Sequence, residues 1–269
     1  MLVRLKFLIS AALKKNPRTW SWVWNILPHI TYLLPHDKSY YGFRHLANKP
    51  QGLFLDVGAN NGISAAGFRR LNQNYRILSI EASRHHQPAL ERLKRKIVNF
   101  DFVIAGVSST PGELRLITPI YKNIPIHAQT STDRDYMLDG LRRVFTPKVL
   151  EQLVYDEQVV KVVPIDSMNL RPDIVKIDVE GHDFQVLLGM TQTIDRHRPF
   201  IMLEFDPHGS GEMKEFFARQ SYQLFVYDEK EDIFLSFDEQ REAANYETSS
   251  LQVNVFAIPA EQTNSLRVR

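Results

Sequence analysis

From Gln51 onward, short apolar runs alternate with segments whose apolar residues recur every three or four positions. The runs predict strands near 52–57, 75–81, 101–107, 159–164, 173–179, 199–205, 222–227 and 252–258. The helical spacing predicts helices near 62–71, 88–97, 136–153, 182–192 and 210–220. Apolar strands alternating with helices call for a mostly parallel sheet covered on both faces. The expectation is therefore one α/β domain over residues 50–260, with a long insertion at 118–158 as a candidate lid and a tail at 261–269. In sheets of this kind, ligands bind beyond the carboxyl ends of the strands, so the residues just after each strand are the ones to inspect.

The chain before Gln51 has a different texture. Leu2, Leu5, Ile9 and Ala12 fall at helical spacing, and Trp20, Val23, Trp24 and Leu27 share one face after Asn16-Pro17. Residues 1–49 are expected to form a helical N-terminal extension that packs on the main domain, or else touches a membrane surface or covers a substrate. The apolar run Phe7–Leu13 is short and is followed by Lys14-Lys15 without a convincing cleavage site, so it reads as an amphipathic helix rather than a signal peptide. No apolar run approaches the roughly 20 residues that span a bilayer.

One predicted strand conflicts with a buried position. In "DIVKIDVEGHD", Asp173–Asp183, Lys176, Asp178 and Glu180 alternate with Val175, Ile177 and Val179, and His182 follows at once. A charge removed from water needs a partner or a ligand. Lys176 and Asp178 fall on the same face of the strand, so Lys176 could neutralise a neighbouring carboxylate and serve the fold alone.

Composition narrows the chemistry. The chain of 269 residues is 43% hydrophobic and 24% charged, as in an ordinary globular protein, and its net charge of +2 gives no reason to expect nucleic-acid binding. The absence of cysteine excludes disulfides, thiol nucleophiles and cysteine-ligated metal sites, and fits a reducing, cytoplasmic setting.

The first strand runs into "GANNGIS", residues 58–64, at the start of a predicted helix. Gly58 and Gly62 permit a tight turn, and the helix start offers free N–H groups. The spacing is not the G-x-G-x-x-G of a dinucleotide loop, and the carboxylate of Asp56 at its entrance would repel a pyrophosphate while favouring an ammonium or sulfonium. These features point to S-adenosylmethionine rather than NAD. Glu81, at the end of the next predicted strand, stands where an acidic residue accepts the ribose hydroxyls of a nucleotide.

Taken in order, "FLDVGANNGISA", "SIEAS", "VVPIDSM", "DIVKIDVEGHDFQVLLGM" and "RPFIMLEFD" resemble the FkbM family of S-adenosylmethionine-dependent methyltransferases over about residues 50–258. The resemblance implies a Rossmann-like class I methyltransferase with a seven-stranded sheet. It further implies O-methylation of a sugar, polysaccharide, glycolipid or secondary metabolite. It carries Asp56, Gly58, Asn60, Gly62 and Glu81 over as cofactor contacts. Ala82 departs from the family, which often has proline there.

In that frame Asp178, Glu180 and His182 become the catalytic candidates. Methylating a hydroxyl needs the oxygen aligned and its proton removed; the carboxylates could orient it, and His182 is the better base on chemistry. Ser131 and Arg134 in the insertion, with Gln129 and Thr132, supply groups suited to carbohydrate hydroxyls, and Glu204 could bind the acceptor. Glu204, Asp206 and His208 with Asp178 could also hold Mg²⁺, although no metal site is assigned. The basic run "ERLKRKI", 91–97, reads as a solvated helix face. The expected partner is a glycan or small-molecule acceptor, with no nucleic acid; the oligomeric state is open. Two other functions compete with methyl transfer: a cofactor-binding but catalytically silent interaction module, and an NAD-dependent oxidoreductase.

Overall fold

The computed structural model describes residues 37–46, 49–126, 129–179, 181–204, 210–238 and 253–266. A 3-10 turn at Lys38–Gly42 and helix α1 (Phe43–Leu46) lead into β1 (Leu53–Val57), α2 (Ile63–Leu71) and β2 (Arg76–Glu81). A second 3-10 turn (Arg84–His86), α3 (Gln87–Lys94), β3 (Phe100–Ile104) and β4 (Gly106–Val107) follow. The middle of the chain forms β5 (Gly112–Tyr121), β6 (Ile124–Pro125), α4 (Arg134–Val144), α5 (Pro147–Leu150) and β7 (Leu153–Val163). Next come β8 (Ile174–Ile177), α6 (Asp183–Leu188), α7 (Thr191–His197) and β9 (Phe200–Glu204). Then come α8 (Ser210–Arg219), β10 (Tyr222–Asp228), β11 (Ile233–Ser236), β12 (Asn254–Pro259) and a 3-10 turn at Ala260–Ser265.

The main sheet has the order β11-β10-β12-β9-β8-β1-β2-β3. Strands β1, β2, β3, β8 and β9 pair in parallel. β12 lies antiparallel between β9 and β10, which restores the parallel sense to β10. Among the described residues this is the expected α/β sheet with one strand more than the expected seven: β11 folds back as a hairpin on β10 and caps the edge. Successive strands leave β1 in one direction and β8 in the other, so the switch in strand order, and with it the ligand crevice, lies between β1 and β8.

The sheet separates two apolar layers. On one side Phe54 stacks on Phe68 at 3.8 Å, and Phe43 sets its ring edge-on against Phe54, Phe68 and Phe256. Leu55, Val57, Val175 and Ile177 face the other side with Leu187, Met190 and Phe217. Because β1 and β8 are buried on both faces, their sequences are near-continuous apolar runs. The N-terminal segment described here, through Tyr40 and Phe43, is part of the first layer; the helical patterns expected at residues 1–36 lie outside the described residues.

Three expectations change. The predicted strand at 101–107 breaks at Ala105 into β3 and β4, which belong to different sheets. The strand expected at 159–164 is the end of β7, and it pairs antiparallel with β5 over ten residue pairs, Gly112↔Val162 through Tyr121↔Leu153, in a second sheet of order β4-β7-β5-β6. Exposed Glu113 and Arg115 flank half-buried Leu114 before the buried Leu116, the alternation of a strand with one face wet, which a search for wholly apolar runs passes over. The helix expected at 136–153 is in fact α4 and α5, and the strand expected to follow begins at Leu153. Leu116, Val160 and Val162 of this second sheet pack on Ala82 and Leu114, and α4 and α5 cover its other face through Met137, Leu141 and Val149.

Candidate active site

The turn after β1 is shaped by its own neighbours. Gly58 has φ +80, and a Cβ there would stand 1.8 Å from the carbonyl oxygen of Asp178, so the turn is pressed against the end of β8. Gly62, at φ +86, would drive a Cβ to 2.5 Å from Leu93 Cδ2 of the segment carrying α3. Asn60 between them is also left-handed, at φ 50, a conformation its short polar side chain tolerates.

Among the described residues, Asp56, Glu81, Asp178 and Asp183 gather at this end of the sheet. Asp56 is fully buried; its Oδ2 accepts from Ser64 Oγ at 2.7 Å and Ser79 Oγ at 2.8 Å, while Oδ1 accepts no hydrogen bond and has Lys176 Nζ at 3.8 Å. The carboxylate therefore sits beneath the glycine turn, where its charge acts through the field. Lys176, 5% exposed, donates to the Gly58 carbonyl at 3.2 Å and pairs with Asp178 at 3.0 Å. The expected neutralising role of Lys176 is thus met by two carboxylates at once.

Glu81 ends β2 with both oxygens engaged from below: Oε2 accepts from the Asn60 N–H at 2.7 Å and Oε1 from the Ser83 N–H at 2.8 Å. Each carboxylate oxygen has a second lone pair, so the pair of acceptors that a ribose diol requires is still free. Asp183, one of the charged residues closing "DIVKIDVEGHD" and assigned no role from sequence, accepts from the Val179 N–H at 3.3 Å and ties the loop after β8 to the first turn of α6. Its signal was an acid at the start of a helix directly after the charged strand.

Burial governs the titration. It lifts Asp56 above the usual carboxylate range and takes Glu81 from 4.5 to about 6. Asp183 rises to about 6 as well, by burial and by the nearby charge of Asp178. Burial alone would lower the Lys176 ammonium, but Asp178, with Tyr40 and Asp56, more than reverses it and keeps the group charged. Among the described residues, carboxyl groups outnumber ammonium groups at this end of the sheet, which suits a cationic ligand.

Linkage makes Glu81 testable. A carboxyl whose folded pKa is raised stabilises the fold below its unfolded pKa and loses that contribution as pH rises through the folded one. Over the window from 4.5 to about 6, Glu81 should therefore cost the ligand-free protein roughly 2 kcal/mol as it ionises. Denaturant titrations of wild type and Glu81→Gln across this window should diverge in that sense; parallel profiles would refute the assignment.

His182 stands at the N-cap position of α6, yet its side chain makes no capping bond. The ring is half-buried and its Nε2 lies 3.0 Å from Ser108 Oγ, and burial pushes its pKa down, favouring the neutral ring. Glu180 lies outside the described residues. Gly181, at φ +88, faces Tyr136 of α4, whose ring atoms lie 3.4 Å from where a Cβ would stand. In this way the middle segment reaches the end of β8.

The acceptor candidates are dispersed. Ser131 is buried, its backbone exchanges both hydrogen bonds with Ile117, and its hydroxyl accepts from the Asp133 N–H at 3.1 Å; it shapes the turn into α4 instead of lining an open surface. Arg134 is exposed with its guanidinium over the Tyr155 ring at 5.2 Å. Glu204 is half-buried at the end of β9, opposite Asn254. Asp206 and His208 lie outside the described residues, and among the described residues no three His, Asp or Glu side chains are grouped to hold a metal ion.

The glycine turn, Glu81 and the charged end of β8 fall within residues 56–224, which match the methyltransferase FkbM domain over more than half of the chain. The chain belongs to the FkbM methyltransferase family. Among solved structures it is similar to methyltransferase FkbM from Methylobacillus flagellatus KT, with 15% identity, a TM-score of 0.51 and coverage of 86% of this chain. It spans only 50% of that protein. It is also similar to precorrin-6y C5,15-methyltransferase from Geobacter metallireducens GS-15, with 14% identity, TM-score 0.41, and 82% and 87% of the two chains covered. The ribosomal protein L11 methylase from Lactobacillus delbrueckii subsp. bulgaricus follows with 10% identity, TM-score 0.43, and 82% and 76% covered. No curated protein sequence matches the chain. The FkbM fold places the glycine turn at the strand-order switch, and no helix among the described residues is long and apolar enough to cross a membrane.

Proposed function

We propose that this FkbM protein is an S-adenosylmethionine-dependent O-methyltransferase whose acceptor is a hydroxyl of a carbohydrate, polysaccharide, glycolipid or glycosylated secondary metabolite. The observation that carries the reading is Glu81, held by the Asn60 and Ser83 amides with acceptor capacity to spare beside the glycine turn. When bound, the cofactor supplies an electrophilic methyl group on a positively charged sulfur. Glu81 would hold the ribose hydroxyls, while Gly58, Asn60 and Gly62 shape the turn around it. Asp56 would favour the cation through the field, without direct contact.

On the acceptor side, the half-exposed carboxylate of Asp178 is held by Lys176 and is proposed to orient the hydroxyl. His182, kept neutral by burial, is the proposed base; Glu180, beside it in sequence, is retained as a second candidate. Tyr136, exposed and set against Gly181, is proposed to contact a sugar, with Arg134 two residues before it and Glu204 at the neighbouring strand end. The middle segment, 118–158, is thereby proposed as the acceptor-covering element.

Isothermal titration with S-adenosylhomocysteine tests the cofactor assignment, and the absence of any binding by the purified protein would sink it. Once an acceptor is known, Tyr136→Ala should raise its KM about 5-fold with kcat little changed, from the loss of one aromatic contact of about 1 kcal/mol. An unchanged KM would remove Tyr136 from the acceptor site. A second reading, a binding module without catalysis, draws on the engagement of Asp178 by Lys176; it predicts cofactor binding with no methyl transfer to any glycan.

A further inference from the structure

The segment that leaves β4 is fastened to α6 at three points. Ser108 Oγ meets His182 Nε2 at 3.0 Å, Ser109 Oγ donates to Gln185 Oε1 at 2.8 Å, and the Ser108 carbonyl approaches Gly189 so closely that a Cβ there would stand 2.1 Å from it. From the other side, the Ser108 N–H donates to the Val163 carbonyl at the end of β7. Ser108 is 8% exposed, so its hydroxyl has little room to turn away from the imidazole. Backbone meets backbone at both the N–H and the carbonyl of Ser108, which fixes the hydroxyl relative to the ring.

A neutral imidazole has one protonated and one unprotonated nitrogen, and the partner of one decides what the other can do. Were the Ser108 hydroxyl to donate to Nε2, the proton would sit on Nδ1 and no lone pair would remain to act as a base. With Nε2–H donating to Ser108 Oγ, Nδ1 keeps its lone pair. We propose that Ser108 is a positioning residue for His182, accepting from Nε2–H and so presenting Nδ1 as the nitrogen that receives the acceptor hydroxyl's proton. This inference rests on His182 being the base. The proton would pass from the hydroxyl to Nδ1 as the new carbon–oxygen bond forms and the methyl–sulfur bond breaks, its electron pair staying on the sulfur of S-adenosylhomocysteine; His182 would then release the proton to solvent.

The test does not need the acceptor. Protein labelled with ¹⁵N at histidine is examined by two-dimensional NMR at neutral pH, with the His182 signals assigned by their loss in His182→Gln. The expected result is the Nε2–H form in wild type, a shift toward mixed tautomers of about fivefold in Ser108→Ala from the loss of one hydrogen bond, and restoration in Ser108→Thr. Affinity for S-adenosylhomocysteine should be the same in all three. A wild-type His182 in the Nδ1–H form, or a tautomer ratio unmoved in Ser108→Ala, overturns the proposal. If Ser108→Ala does not fold, the wild-type tautomer still decides. Failure of the cofactor reading would appear separately, as an absence of binding in every variant.

Discussion

Replacement of Lys176 by methionine is expected to lower the free energy of unfolding by about 3–5 kcal/mol, the usual result of removing one partner from a buried charge pair. Asp56 would keep its two serine donors but lose the only ammonium near it among the described residues, at 3.8 Å, and the Gly58 carbonyl would lose its side-chain donor. Asp178 matters less, since its side chain is 39% exposed and water can take over. If burial of an uncompensated charge is the cause, Lys176→Met combined with Asp56→Asn should recover a large part of the loss. Chemical denaturation of the four proteins measures this directly. A loss below about 1 kcal/mol in the single variant would mean that the pair behaves like a surface ion pair.

Glu81→Ala is expected to weaken S-adenosylhomocysteine binding at least 100-fold, because hydrogen bonds to a charged acceptor contribute about 1.5–3 kcal/mol each and two hydroxyls would lose theirs. The variant should fold, since its cost is confined to the Asn60 and Ser83 amides, which lose the carboxylate that accepts from them. Glu81→Gln separates charge from shape, because its amide can still accept through one oxygen. It should bind more weakly than wild type and more strongly than Glu81→Ala. Equal affinities for wild type and Glu81→Ala, measured calorimetrically, would remove Glu81 from the cofactor site and leave the glycine turn without its main support.

The stability effect and the proposed ligand site meet at the charged end of β8. Lys176 bonds to Gly58 across 118 residues of sequence and pairs with Asp178 two residues away. The glycine turn and Asp178 therefore share one ammonium. A cationic ligand entering this field would offset part of the desolvation that raises Glu81 and Asp183.

Much of this was written locally. The apolar runs at 53–57 and 174–177, the left-handed glycines of the turn and the acid ending β2 are features of contiguous residues, and periodicity, glycine conformation and spacing report them faithfully. The alternation of Lys176 with apolar neighbours also announced a buried charge in need of a partner. Tertiary structure decided the rest, because it depends on contacts between distant segments. β5 and β7 form a sheet of their own because their alternation buries one face at each end, against Ala82 or under α4, and no local pattern says which sheet a strand will join. Asp56 faces Ser64 and Ser79 rather than an opening, as only the packing of α2 and β2 around β1 could determine. His182 stands in the sequence only as a candidate base and becomes a fixed imidazole through Ser108, 74 residues earlier, because a hydrogen bond is set by distance in space and not along the chain.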